Sequence, residues 1–449
     1  MRTDMRKRRR LRMKRLRIKD NSRLAKSDFD VIRHLTARIA DKTAETLSRE
    51  GIFVFPPRAE DSEDLDAGEK ILESEGDTYR TGNVMGFLGL GDERLTIASR
   101  FDREDDFFLR YLLENVMAFP NAADFKIDAN PEERLFQFLL FLFPPYLKAA
   151  MRKGVYKEYI RRQYNDAHVN GVIDVARHIA KNTPFIGNVA YGRREFSYDN
   201  GLTQLVRHTV EFIKGKPYGH MLLSKVKEET KLIVRATPSY APGERRKIAE
   251  LNEKNIVRRA YFREYGALQR LCLLILRHRK HQIGGGEKRI YGILFDGAWL
   301  WEEYVATLVG DRFLHPRNKA KEGGQRLFAG NKGLIYPDFI GRDTAPREMA
   351  DAKYKPPGNI ANKDYLQMLA YMFRFEAKTG YFFYPETSRA EDEILLLNRG
   401  TTYEGNTAPR GDIRIIKHGF AIPAEAEDYE TFRLKMKEAE ESFRNGISK

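Results

Sequence analysis

The sequence predicts an α+β multidomain protein with a β-containing N-terminal region, a mostly helical middle region and a C-terminal α/β domain. In the last of these, a central mixed sheet flanked by helices is expected. Three observations predict this. At 449 residues the chain exceeds one ordinary domain and suggests two or three. Short β-branched and aromatic runs recur among longer stretches with a helical apolar period. The glycines Gly284-Gly285-Gly286 close the longest helical stretch and mark a boundary. Hydrophobic residues make up 42% of the chain, enough to bury such cores and to exclude wholesale disorder.

Residues 1–24 carry twelve Lys/Arg against Asp4 and Asp20, +12 − 2 = +10 of the net +15. They are expected to be a disordered basic arm. Either it grips phosphates nonspecifically, or Met5 or Met13 is the true start. Residues 25–150 form the expected N-terminal mixed region. It offers a helix from Asp30 to Arg49, a strand at Ile52–Phe55 and an acid-rich solvated loop over 58–80. A hairpin of Val84–Leu90 and Leu95–Ala98 about Gly91-Asp92 follows, then helices at Phe107–Phe119 and Glu132–Phe143. Residues 151–286 form the mainly helical middle, with Leu202–Lys214 and a long amphipathic helix Asn255–His281.

Composition excludes several classes. Cys272 is the only cysteine, so no internal disulfide or cysteine-based zinc site exists. No apolar run approaches the roughly 18–20 residues that span a bilayer. No signal peptide is apparent, and a soluble, cytoplasmic protein without a membrane partner is expected. Outside the arm the charge is only mildly basic, so charge alone does not establish a nucleic-acid partner.

The chemistry lies in residues 287–449. Gly333–Ile340 (GLIYPDFI) is apolar but for Asp338, and Arg347–Lys355 (REMADAKYK) holds Asp351-Ala352-Lys353. A turn-forming segment, 341–346, separates them and predicts a β-hairpin. Side chains alternate along a strand, so Asp351 and Lys353 share a face. With Asp338 opposite, two carboxylates and an ammonium converge. Crowded carboxylates suit a divalent cation with oxygen ligands, Mg²⁺ in particular, and phosphodiester hydrolysis. Such charges on a hairpin are also common as plain ion pairs. Two flanking features sharpen the reading. On the predicted helix Gly297–Phe313, Glu302 falls at the edge of the buried arc and Glu303 near its back. On the predicted helix Asn362–Phe375, Gln367 and Tyr371 lie four residues apart on one face.

The order Glu302, Asp338, Asp351-Ala352-Lys353, Gln367…Tyr371 resembles the PD-(D/E)xK nuclease superfamily. The wording YPDF, DAKYK and DYLQMLAY resembles the McrC family, nuclease subunits of McrBC-type restriction systems. Lys153–Ala176, Arg194–Asn200, Val84–Gly89 and Leu95–Phe101 resemble other McrC segments, so the likeness spans most of residues 80–385.

The resemblance implies a restriction-endonuclease-like domain over 287–449 and a partner-docking role for 25–150. It also implies Mg²⁺-dependent cleavage of double-stranded DNA in complex with a hexameric, McrB-like AAA+ GTPase. That partner would recognise 5-methylcytosine and be stimulated by this chain, and the nuclease could dimerise on DNA. Asp338, Asp351 and Glu302 would be metal ligands, Lys353 the catalytic lysine, and Gln367 and Tyr371 supports. This chain has no GxxxxGK[ST] loop, so GTP would sit on the partner. The alternatives are a stand-alone nuclease acting on RNA or repair intermediates, and a non-cleaving activator of the ring.

Overall fold

Gly91, at φ +59°, makes the turn expected between the two N-terminal apolar runs. The computed structural model describes residues 14–50, 52–55, 70–103, 106–116, 131–216, 218–257, 260–281, 290–316, 324–330, 332–342, 347–388, 391–400 and 407–447. In it the chain divides into two units, residues 1–126 with 287–449, and residues 127–286. Sequence expectation placed boundaries after residues 24, 150 and 286.

The first sheet contains β1 (Lys14–Lys19), β2 (Phe53–Phe55), β3 (Val84–Leu90), β4 (Glu93–Ala98) and β5 (Tyr291–Asp296). Their order is β1-β4-β3-β5-β2, with β1 parallel to β4, β2 parallel to β5 and the other pairs antiparallel. Leu88, Leu95, Ile97 and Leu294 pack there against Phe29, Ile32 and Leu35. Strands β3 and β5 approach closely at Gly86, where a Cβ would meet the Ile293 carbonyl oxygen at 2.1 Å. The partnership of β5 with β3 is the decisive feature, because the last third of the chain begins inside the N-terminal sheet.

Three local expectations are corrected. Residues 14–24 are not a disordered arm: β1 pairs with β4, and Arg23–Ala25 pairs with Thr78–Thr81. Leu16 and Ile18 turn inward between outward-facing charges, a period-two alternation that a charge count overlooks. Residues 1–13 lie outside the described residues. The helix expected over 30–49 is split into a 3₁₀ turn (Lys26–Ile32) and helices Arg33–Ile39 and Ala44–Arg49. Asp41 sits between them in the left-handed region at φ +57°, and Thr43 caps the second helix. Within the expected loop 58–80, Leu72–Glu75 and Thr78–Thr81 form a hairpin about Gly76, with Arg80 paired to Glu73. Residues 58–69 lie outside the described residues.

The second sheet, in the same unit, contains β6 (Phe313–Leu314), β7 (Phe339–Gly341), β8 (Glu348–Ala352), β9 (Thr379–Glu386), β10 (Glu393–Gly400) and β11 (Thr407–Ala421). Its order is β6-β7-β8-β9-β11-β10, parallel from β8 through β9 to β11 and antiparallel elsewhere. Helix α1 (Phe107–Val116) precedes it in the chain, and α2 (Gly297–Val309), α3 (Asn362–Arg374) and α4 (Tyr429–Ile447) flank it. Met368 and Met372 of α3 cover one face with Met349 and Phe382. On the other face Trp301 and Tyr304 of α2 and Phe443 of α4 pack around Phe420, and Phe443 also meets Phe383. The stretch after residue 390, unmatched by sequence likeness, thus supplies two strands and a flanking helix.

The other unit is mainly helical. It holds helices Pro131–Met151, Gly201–Lys214, Lys227–Ala236, Arg245–Lys254 and Arg263–His281, and an antiparallel sheet of Glu158–Asp166, Val189–Ser197 and Val172–Ile173. The long helix starts at Arg263 rather than Asn255, because the Val257 amide bonds to the Gln269 side chain instead of a helical carbonyl. His208 is fully buried against Tyr240, and neither ring nitrogen has a hydrogen-bond partner. Burial, with the charges of Arg245 and Arg207, pushes its pKa down to about 4 from 6.5. The neutral ring's contribution to stability is therefore complete above pH 6.5 and is lost as pH falls toward 4. Acid should cost the wild type up to about 3 kcal/mol more than His208→Leu over that window. Denaturant midpoints measured against pH check this; parallel curves would refute it.

Candidate active site

Strands β7 and β8 pair with Phe339 opposite Ala350 and Ile340 opposite Met349. Continuing that register places Asp338, in the bend just before β7, opposite Asp351. The Ala352 amide donates to Asp338 Oδ2 at 2.9 Å and pins the bend. Along β8, Met349 enters the core beneath α3, so Asp351 and Lys353 face that side too. The Lys353 ammonium touches Asp351 Oδ2 and lies 3.5 Å from Asp364 Oδ1. The hairpin thus brings Asp338, Asp351 and Lys353 together.

The electrostatics are those of crowded carboxylates. Burial, then the negative charges of Glu302 and Asp351, hold the Asp338 carboxyl well above the usual carboxylate range. Burial alone would lower the Lys353 pKa, but the charges of Asp351 and Asp338 more than reverse this and hold it above the usual lysine range. Lys353 is an ammonium at neutral pH.

Glu302 arrives on α2. Asp296 ends β5 and caps that helix by accepting from the Ala298 and Trp299 amides at 2.9 and 3.1 Å. Trp301, fully buried, donates to the Phe383 carbonyl at 3.1 Å, and the Lys353 amide donates to the same oxygen at 2.8 Å. One carbonyl therefore ties the helix carrying Glu302 to the strand carrying Lys353. Glu302 is the leading charge acting on Asp338, which distinguishes it from its neighbour Glu303.

Gln367 and Tyr371 also reach the cluster. Gln367 Oε1 accepts from Lys353 Nζ at 3.3 Å, its amide donates to Tyr371 Oη at 2.8 Å, and Tyr371 donates to the Tyr336 carbonyl at 3.2 Å. Burial, then the charges of Asp351 and Asp338, push the Tyr371 phenol up to about 12, so it remains a donor.

Sequence reasoning missed two neighbours. Asp364 accepts from Lys355 at 2.6 Å and from the Ala361 amide at 2.9 Å, forming the cap of α3. His315 follows β6, hydrogen-bonds the Asp338 carbonyl at 2.9 Å and lies 3.7 and 4.0 Å from Glu303 and Glu302. Burial lowers its pKa, but Glu303, the Asp338 carbonyl and Glu302 together raise it. An isolated histidine after a two-residue strand carried no sequence signal. The Asn362-Lys363-Asp364 start of a helix did carry one, the capping chemistry of an aspartate in the first turn.

Among the described residues, no three His, Cys, Asp or Glu side chains already stand as a ligand set about one point. The donors here instead have partners of their own, Asp338 the Ala352 amide, Asp351 the Lys353 ammonium and Glu302 the nearby His315 ring. The chemistry of the set nevertheless fits a hard divalent cation. Glu302, Asp338 and Asp351 offer oxygens only, their mutual repulsion raises Asp338, and Asp351 Oδ2 is buried with no hydrogen bond beyond its approach to Lys353.

A family described as "McrBC 5-methylcytosine restriction system component" matches residues 79–385, well over half of the chain. No curated protein matches. The chain is similar to one in the refined half-complex from the tetradecameric assembly of Thermococcus gammatolerans McrB AAA+ hexamers with bound McrC. That match has 15% identity and a TM-score of 0.47, and covers 97% of this chain and 99% of that one. A chain of the Thermococcus gammatolerans McrBC complex, determined by cryo-EM, matches at 14% identity and a TM-score of 0.31. It covers 66% of this chain and 87% of that one.

Proposed function

The chain belongs to the McrBC 5-methylcytosine restriction system component family, and from that premise we propose that it is the DNA-cutting, McrC-like subunit of such a system. The observation that carries the reading is the convergence of Asp338, Asp351 and Lys353, with Glu302 behind them, on one end of a mixed sheet. We read this convergence as a PD-(D/E)xK arrangement and the domain as restriction-endonuclease-like.

Glu302, Asp338 and Asp351 would hold Mg²⁺, which when bound supplies Lewis-acid polarisation of a phosphate oxygen and a water acidified for attack. The residues themselves do the positioning. Lys353, held protonated, would place its charge on the phosphate oxygens as negative charge builds in the transition state. Gln367 holds that ammonium through its carbonyl oxygen, and Tyr371 fixes Gln367. His315 holds the Asp338 backbone, which keeps the bend from drifting off β8.

The partner in this reading is an AAA+ GTPase hexamer that binds GTP and reads the modified base, as the McrB hexamers of the similar assembly bind McrC. On the helical unit Val172, Ile173, Val175, Ile179, Phe185 and Ile186 are each exposed, apolar side chains that a protein partner could cover. The reading is tested by reconstitution with an McrB-like P-loop GTPase. Methylated plasmid should be cut with both proteins, GTP and Mg²⁺ present, and poorly by this chain alone. Equal cutting by the chain alone, or none by the complete mixture, overturns it.

A further inference from the structure

Directly after the cluster comes Tyr354, which turns away from Lys353 into the N-terminal sheet. It is buried, and its ring is enclosed by residues far away in sequence. Its hydroxyl meets Ser99 Oγ at 2.7 Å and lies 3.4 Å from the Met85 sulfur, and the buried Asp20 carboxylate is near enough for its charge to act on it. The Arg100 guanidinium lies 4.9 Å from the ring centroid, and Phe101 packs edge-on at 5.2 Å. Arg100 also binds Asp20, through Nε at 3.1 Å and a terminal nitrogen at 2.8 Å, and reaches Asn83. A Cβ at Gly297, the first residue of α2, would meet the Tyr354 ring at 2.7 Å, so the ring seats against the start of the helix that carries Glu302.

This socket is expensive to build. Asp20 is fully buried, and burial pushes its carboxyl up to about 6 despite Arg100 beside it. Ordinary packing of a tyrosine needs no buried carboxylate. The socket also sits where the two sheets meet in sequence terms: β5 leads straight into α2, and the Gly297 amide donates to the Asn83 carbonyl at 2.7 Å. The N-terminal sheet therefore holds the cluster at two points, the start of α2 and the residue after Lys353.

We infer that Tyr354 is a positioning residue: the socket of Asp20, Ser99 and Arg100 on the N-terminal sheet fixes Tyr354, and through it the placement of Lys353 against Asp351. The inference rests on the nuclease reading for its consequence, but the placement itself is measurable without cleavage. With Tyr354 anchored, the backbone at Lys353 has one direction out of β8, and the ammonium is directed at Asp351 and Gln367. Without the hydroxyl the ring loses its polar anchor and the lysine gains freedom. A displacement of the N-terminal sheet would reach Lys353 by the same route.

The test is acetylation of the full chain by an N-hydroxysuccinimide ester, read site by site by mass spectrometry, in wild type, Tyr354→Phe and Asp20→Asn. Lys417, buried on β11 and paired with Glu393, reports general loosening of the same sheet. Both variants are expected to label Lys353 about fivefold faster or more with Lys417 unchanged, an effect the size of one lost hydrogen bond. The double variant should match the singles rather than their product, because both loosen one socket, Tyr354 directly and Asp20 through Arg100. In the complete restriction mixture Tyr354→Phe should cut about tenfold more slowly. Unchanged Lys353 labelling overturns the inference, as does a parallel rise at Lys353 and Lys417. If the wild type cuts nothing, the nuclease reading fails while the labelling still decides the role of Tyr354.

Discussion

Asp351→Ala is expected to reduce DNA cleavage by the assembled complex about a hundred- to a thousandfold, while stimulation of the partner's GTPase is retained. The argument is geometric. Asp351 is the member of the cluster that acts on both other groups, its charge raising the Asp338 carboxyl and its Oδ2 touching the Lys353 ammonium. Removing it deletes one proposed ligand and one restraint on the lysine together. Folding should survive, because Lys353 keeps Asp338, Asp364 and Gln367 as partners and the remaining carboxylates repel less. A buried ion pair broken outright would instead cost about 3–5 kcal/mol. Cleavage and GTP hydrolysis measured on the same preparation check this. Loss of both activities would make the cluster a structural feature of the fold.

Lys353→Met is expected to separate metal holding from catalysis. The methionine side chain fills much of the same volume but removes the positive charge that balances Asp338 and Asp351. Three carboxylates then crowd with no cation among them, so a divalent ion should bind at least as tightly as in wild type. Cleavage should nevertheless fall about a hundredfold or more, since no ammonium remains to meet developing charge on the phosphate. A single-turnover cleavage assay across Mg²⁺ concentrations distinguishes the outcomes. If high Mg²⁺ restored the wild-type rate, Lys353 would only be helping to hold the ion.

Those two variants could be chosen from the sequence because the cluster is local. The fourteen residues from Asp338 to Asp351 read as a turn-forming segment between two short apolar runs, and alternation puts Asp351 and Lys353 on one face. The i,i+4 spacing of Gln367 and Tyr371 was equally legible, and they meet at 2.8 Å. Glu302 was legible as a half-buried residue beside Trp301 and Tyr304, although only the charges around Asp338 separate it from Glu303. What sequence patterning could not supply is long-range pairing. Nothing local says that Tyr291–Asp296 joins Val84–Leu90, so the first and last parts of the chain were expected as separate domains. The same gap hid the Tyr354 socket, whose parts lie at positions 20, 83, 99 and 100. In β1, charge concealed a strand whose inward residues are only Leu16 and Ile18. The C-terminal strands were hidden for a different reason: Thr407–Ala421 is half charged or exposed at its start and becomes a buried strand only beside β9.

The central claim is that the carboxylates meeting at Asp351 form a seat for a divalent ion. Calorimetric titration of Mn²⁺ into the wild-type chain, Asp351→Ala and Lys353→Met tests it without needing partner, GTP or DNA. The account predicts a binding heat for the wild type and for Lys353→Met that disappears in Asp351→Ala. Binding to Asp351→Ala as tight as to the wild type, or no binding to the wild type, would contradict it.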